Sequence, residues 1–272
     1  MNTLTSNTVT SKDGTTIAYD RAGEGSAVVL VDGALCSRAQ GPMPELSKEL
    51  ASQYTVYNYD RRGRGDSGDA DTYQVEREIE DLAAVIEAAG GSAYVYGTSS
   101  GGALVLRAAA AGLPISKLAV FEAPFVVDDS RKPIPRTWAA DLRALADAGK
   151  RGEAIKYFMT KGVGLPAIFV TLMKLMPAWK AMKAVAHTLP YDAEVVGENA
   201  FGQPLDASQW AGIQQPVLIV AGGKSPASMR TAIRALADAV PGAVHREIPG
   251  QTHIIKATAI APVLTEFFGG AR

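Results

Sequence analysis

The chain has one cysteine, Cys36, and three histidines. A single thiol cannot close an internal disulfide. Three imidazoles with no cysteine cluster and no H-E-x-x-H stretch give no metal-site spacing, so no metal is expected. Charge of one sign is also missing. The 27 Lys and Arg against 28 Asp and Glu leave a net charge of -1. Phosphate binding needs a clustered basic surface, so nucleic acid is not an expected partner. Long apolar runs are lacking too. The longest, Pro166 to Met173, stops at Lys174, well short of the roughly 20 residues that span a bilayer. The opening MNTLTSNTVTSKDG has neither a basic segment nor an apolar core of the kind a secretory signal needs. With one cysteine, this points to a soluble protein in the reducing cytoplasm, with no membrane partner, as monomer or homodimer.

What is present is apolar substance. Hydrophobic residues make up 47% of 272, enough for one large core, alone or with an inserted lobe. Short β-type runs alternate with helical stretches. Asn7–Ser11 and Thr16–Ala22 flank Asp13-Gly14 and read as a hairpin. Ala27–Val31 is a continuous apolar run, as in a strand buried on both faces. Tyr54–Tyr59, Ala93–Tyr96, Leu118–Phe121, Pro216–Val220 and Ala243–Ile248 are further strands. Helices are expected over Val75–Ala89, Gly101–Ala111, Ser228–Val240 and Thr258–Phe268. Such alternation implies an α/β fold, a mostly parallel sheet covered by helices. From about Val126 to Gln209 no strand pattern occurs. Six prolines punctuate that stretch, which reads as several helices inserted between two strands.

The sharpest signal is Gly97-Thr98-Ser99-Ser100-Gly101-Gly102, between the strand Ala93–Tyr96 and a helix. A G-x-S-x-G sequence in that setting makes a tight elbow that lifts the serine hydroxyl off the sheet edge, with a helix N-terminus behind it. Ser99 is therefore a candidate nucleophile, and a serine nucleophile needs a base. His253 follows the last expected strand on the loop Pro249–His253, at the sheet edge where a general base belongs. His187 falls in the helical insertion and His245 begins a strand, so both are read as surface or core residues.

Here the chain resembles the α/β-hydrolase family, from about residue 10 to its end. Four features follow in the family's order: Val31-Asp32-Gly33-Ala34 as the oxyanion loop, Asp60 to Ser67 as the D-x-R-G-x-G-x-S turn, the elbow at Ser99, and the late His253. The resemblance implies an eight-stranded sheet, a core of 1–125 and 210–272, and a helical cap at 126–209. It implies hydrolysis of a carboxylic ester or lactone through an acyl-enzyme, with no cofactor. Backbone N–H groups of Ala34 and Ser100 would hold the oxyanion.

Two departures bear on mechanism. The family's usual acid follows the strand after the cap, but Gly222-Gly223-Lys224-Ser225 puts Ser225 there, and a hydroxyl cannot carry the charge that steadies an imidazolium. Some members, haloalkane dehalogenases and zearalenone-type lactonases among them, take the acid from the end of the strand after the elbow helix. Here that residue is Glu122, with Asp128 and Asp129 as weaker candidates. The second departure is Asp32, where a histidine is common. An ionised carboxylate beside the oxyanion would oppose catalysis, so Asp32 is expected to point away or be tied to backbone donors.

Gly63 to Gly68 also matches G-x-G-x-x-G. No acid ends the next strand and Asp66 would repel pyrophosphate, so a dinucleotide is not expected. Cys36 reads as a small buried residue. The insertion's aromatic and methionine side chains read mainly as its own core, and its lysines as a solvated face. Gly33, Leu35, Trp138, Met159 and Trp179 are the candidate substrate contacts, for a neutral, fairly apolar molecule. Two alternatives stay open. One is lyase-type chemistry on the same triad; the other is a catalytically weak small-molecule binder.

Overall fold

The computed structural model describes residues 4–270; the outermost residues of the expected core range, 1–3 and 271–272, lie outside them. Eight strands form one sheet: β1 Thr5–Thr10, β2 Thr16–Ala22, β3 Ala27–Val31, β4 Thr55–Tyr59, β5 Ala93–Thr98, β6 Ile115–Phe121, β7 Val217–Gly222 and β8 Val244–Ile248. Their spatial order is β1-β2-β4-β3-β5-β6-β7-β8. The β1–β2 hairpin and the β2–β4 pair are antiparallel. Every pairing from β4 through β8 is parallel.

The apolar strand sequences explain this layering. Side chains alternate across a strand with period two. In β3, Val29 and Val31 enter one apolar cluster and Val28 and Leu30 the other. In β6, Leu118 and Val120 face the first while Ala119 and Phe121 face the second. A run such as Ala-Val-Val-Leu-Val is thus apolar throughout because both faces are covered.

Helices supply that cover. On one side lie α1 Met43–Leu50 and, near the end of the chain, α10 Ala257–Gly269, whose Leu46, Leu50, Ile260 and Leu264 join the second cluster. On the other lie α2 Val75–Ala88, α3 Ser100–Ala110 and α9 Ala227–Ala239, with Leu82, Leu104 and Ile233 in the first. The sequence reading had no helix at Met43–Leu50. Its window is short and opens on Gly41-Pro42, a turn signal that hides the single amphipathic turn pair behind it.

Between β6 and β7 the described residues form no strand. Five α-helices occur there: α4 Trp138–Asp147, α5 Arg151–Tyr157, α6 Ala167–Met173, α7 Ala178–Val185 and α8 Leu189–Val196, with a π-helical turn at Phe158–Val163. Pro166, Pro177 and Pro190 stand at the starts of α6, α7 and α8, where a missing N–H costs nothing. No helix among the described residues is long and apolar enough to cross a membrane.

Candidate active site

Four strand ends, β5 through β8, converge at one sheet edge. Ser99 follows β5, Glu122 follows β6, Ser225 follows β7, and His253 sits on the loop after β8. The connections there are tied to each other. The Ser99 amide donates to the Phe121 carbonyl at 2.9 Å, the Glu122 amide to Val220 O at 3.1 Å, and the Lys224 amide to Gln251 O at 2.7 Å.

Ser99 has φ 53° and ψ -128°. A side chain pays for this conformation in strain, of order 1–3 kcal/mol. The surrounding glycines make the elbow feasible. A Cβ on Gly101 would lie 2.4 Å from Val31 O, so only glycine lets α3 start this close to β3. Among the described residues three non-glycine positions have positive φ: Leu35, Ser99 and Glu122. All three belong to the loops of this site.

The predicted trio comes together. His253 Nε2 lies 3.2 Å from Ser99 Oγ, and His253 Nδ1 lies 2.7 Å from Glu122 Oε2. Glu122 is fully buried, and its other oxygen accepts the Gly222 amide at 2.8 Å. A buried carboxylate with both oxygens engaged is fixed in orientation, and its charge is best offset by an imidazolium. Ser225 is buried with no hydrogen-bond partner for its hydroxyl. His187 lies 3.8 Å from Asp69, and His245 is in β8. Asp128 caps its own turn by accepting the Ser130 amide at 3.0 Å.

The Ala34 amide donates to no described group. Ser100 opens α3, so its N–H has no carbonyl a turn behind it. Gly33 lies against the nucleophile: a Cβ there would sit 2.9 Å from Ser99 Cβ. Leu35 is buried in the first apolar cluster. Trp138, Met159 and Trp179 pack within the helical layer. Trp138 is buried, stacks on Phe158 at 5.6 Å and fills the space over Gly162. Its indole is packed by α4 against the π-helical turn.

Asp32 is tied to a backbone donor, as expected, though by one oxygen only. Its Oδ1 accepts the Gly33 amide at 2.8 Å, but Oδ2 has no partner. Burial pushes its pKa up to about 7, although the Gly33 N–H and Arg64 oppose that rise. The carboxyl therefore carries its proton through much of the acidic range instead of being a fixed negative charge. Cys36 is half-buried, and burial together with Asp32 pushes its thiol well up; it is no thiolate.

The sequence reading missed a buried ion cluster under the elbow. Arg61 grips Glu78 through Nε at 2.6 Å and Nη2 at 2.7 Å, and gives Nη1 to Asp192 at 2.8 Å. Arg64 gives Nη2 to both oxygens of Asp192, at 2.8 and 2.9 Å, and Nη1 to Gly33 O at 2.5 Å. The Ser100 hydroxyl donates to Asp192 Oδ1 at 2.7 Å. Burial by itself would push Asp192 up, but Arg64 and Arg61 hold it below the usual carboxylate range. Asp192 comes from α8, so one carboxylate ties the inserted helices to the residue after Ser99 and, through Arg64, to the Gly33–Ala34 peptide. The available signal was faint: Asp192 is the first acid after Glu153, in a helix that also carries Glu194.

Among the described residues no group of His, Cys, Asp and Glu is arranged to hold a metal. The assembled chemistry is a strained hydroxyl, an imidazole, a buried carboxylate and two free amides, which together suit acyl transfer.

Comparison with known proteins gives the family and the fold. The sequence model of the alpha/beta hydrolase family matches residues 28–262. An alpha/beta hydrolase from Sphaerobacter thermophilus is 53% identical in sequence, with 96% of this chain and 100% of that chain covered and a TM-score of 0.89. A thermophilic esterase from Thermogutta terrifontis is similar at 18% identity, 97% and 98% coverage and TM-score 0.72. An enol-lactonase from Burkholderia xenovorans is similar at 19% identity, 97% and 100% coverage and TM-score 0.68. The last two likenesses concern the fold. Comparison with curated proteins gives no match.

Proposed function

The chain belongs to the alpha/beta hydrolase family, and from that premise we propose that it is a serine hydrolase that cleaves a carboxylic ester or lactone of a neutral, fairly apolar small molecule. The observation that carries this reading is the unbroken relay from Ser99 Oγ through His253 to Glu122, at 3.2 and 2.7 Å.

In the proposed reaction Ser99 Oγ attacks the substrate carbonyl carbon as His253 Nε2 takes its proton. Glu122 accepts from Nδ1–H, keeps the ring in the tautomer with a free Nε2, and stabilises the imidazolium. The Ala34 and Ser100 N–H groups receive the oxyanion; one such donor is worth about 3 kcal/mol of barrier. His253 returns the proton to the leaving alkoxide, which for a lactone stays tethered in the same molecule. Water, deprotonated by His253, then releases the acid. Arg64 and Asp192 are positioning residues. The peptide whose carbonyl receives Arg64 Nη1 is the one whose N–H is the Ala34 donor, so the guanidinium both orients and polarises that donor.

The carboxylate on the strand end after α3 is the arrangement that zearalenone-type lactonases resemble, which inclines the reading toward lactones. We assign 126–209 as a cap over a core of 1–125 and 210–272. The engaged Glu122 favours an active enzyme over a binder with a decayed triad.

A fluorophosphonate probe tests the reading. It is expected to label the wild type and not Ser99→Ala, and a panel of p-nitrophenyl esters and lactones should be turned over only by the wild type. Equal labelling of Ser99→Ala, or a folded wild type inert to every acyl substrate and to the probe, would overturn it.

A further inference from the structure

The stretch between Glu153 and Asp192 contains no acidic residue, yet it holds Lys156, Lys161, Lys174, Lys180 and Lys183. It contributes +5 to a chain whose total is -1, so everything else sums to -6. Charge is therefore segregated in a protein whose overall balance conceals it.

Apolar exposure is concentrated in the same stretch. Val163, Leu165, Ile168, Phe169, Leu172, Leu175 and Met176 are all exposed, with Phe169 57% and Leu175 83% accessible. Elsewhere among the described residues only three large hydrophobic side chains are so exposed. Of α6 itself, only Val170 is buried. A contiguous apolar surface of this kind on a soluble domain marks a contact that water does not supply.

Beside it runs an open groove of about 1040 Å³ lined by Lys150, Arg151, Lys156, Lys174, Lys180 and Lys183, with Glu153 its one acid. Lys174 caps the C-terminal end of α6 and lines the groove, so the apolar ridge and the basic rim are one continuous surface. None of Lys156, Lys161, Lys174, Lys180 and Lys183 is in an ion pair with a described acid.

We propose that this α6–α7 surface seats the protein on an anionic lipid surface, with the Ile168, Phe169, Leu172 and Leu175 side chains in the acyl boundary and the lysines among the headgroups. Exposed apolar side chains beside a row of cations suit a fluid apolar layer of opposite surface charge. No spanning helix is needed, since the segment lies in the interface plane. An apolar ester dissolves in the same layer, so the surface would bring the insertion to where such a substrate concentrates. This docking stands apart from the catalytic reading and needs neither Ser99 nor His253.

The protein supplies its own probe. Trp138 and Trp210 are buried, while Trp179 in α7 is the partly exposed one of the three. The full chain is mixed with vesicles of phosphatidylcholine alone or with added phosphatidylserine, at low and high salt, and followed by co-sedimentation and by quenching with brominated lipid. The expected result is binding to the anionic vesicles, lost at high salt, with quenched, blue-shifted emission. Phe169→Asp/Leu175→Asp and Lys174→Glu/Lys180→Glu should each lower partitioning at least about tenfold, keeping turnover of a water-soluble ester. Lys12→Glu, on the β1–β2 turn, is expected to change nothing. Three results would overturn the proposal: no vesicle binding; binding indifferent to lipid charge and salt; or a dimer in solution that Phe169→Asp/Leu175→Asp dissociates while vesicles leave Trp179 unquenched, which makes the surface a subunit interface.

Discussion

Replacing Glu122 by Gln tests the relay at its most constrained point. The carboxylate meets two donors, Gly222 N–H at 2.8 Å and His253 Nδ1 at 2.7 Å, and it is fully buried. An amide of the same shape has only one oxygen. If that oxygen keeps the Gly222 N–H, the NH₂ faces Nδ1, which must then accept. The ring proton moves to Nε2, and the base can no longer take the Ser99 proton. If the amide turns round, its NH₂ opposes the Gly222 N–H in a buried space, costing about 1–3 kcal/mol of stability. The charge opposite the imidazolium is lost either way. The expected fall in kcat is about 10⁴-fold, or roughly 5.4 kcal/mol of barrier, with KM nearly unchanged. Steady-state and burst kinetics on a p-nitrophenyl ester measure it, with thermal unfolding confirming the fold. Turnover within a few-fold of wild type would refute the assignment of Glu122 and the tautomer argument together. Glu122→Gln/Ser225→Asp is the companion variant. Ser225 Oγ is buried and unpartnered at the neighbouring strand end, and a carboxylate there should restore part of the lost rate.

Other perturbations follow from the same geometry. Arg64→Met frees the Gly33 carbonyl and leaves Asp192 to Arg61 and Ser100; kcat/KM should drop about 10–100-fold through kcat, with partial rescue in Arg64→Lys and parallel weakening of a trifluoromethyl ketone inhibitor. Gly33→Ala puts a methyl 2.9 Å from Ser99 Cβ, and fluorophosphonate labelling should slow by at least about 10²-fold without unfolding the protein. Asp32 titrates near 7 when folded and near 3.8 when unfolded, so the unfolded state loses its proton first and stability falls as pH rises between those values. Asp32→Asn should therefore stabilise the protein more at pH 8 than at pH 5, by about 3 kcal/mol in denaturant midpoints analysed with a common slope. A constant difference across pH would contradict that carboxyl's high pKa.

Much of this molecule is written locally. Short continuous apolar runs bounded by turn residues determine the central strands, and Gly97 to Gly102 between a strand and a helix determines the elbow, because only that glycine spacing lets a serine adopt φ 53° against β3. The absence of an acid at position 225 is likewise a property of the string alone. What the string left open is which distant carboxylate answers His253. Glu122 and His253 are 131 residues apart, and their contact depends on β6, β7 and β8 lying side by side in register. The cluster of Arg61, Arg64, Glu78 and Asp192 was hidden for the same reason. A charge reads as solvated unless its partner is known, and these partners come from a turn, α2 and α8. Tertiary structure also decided the charge of Asp32, since burial is the largest influence on its proton and the packing of distant elements sets that burial.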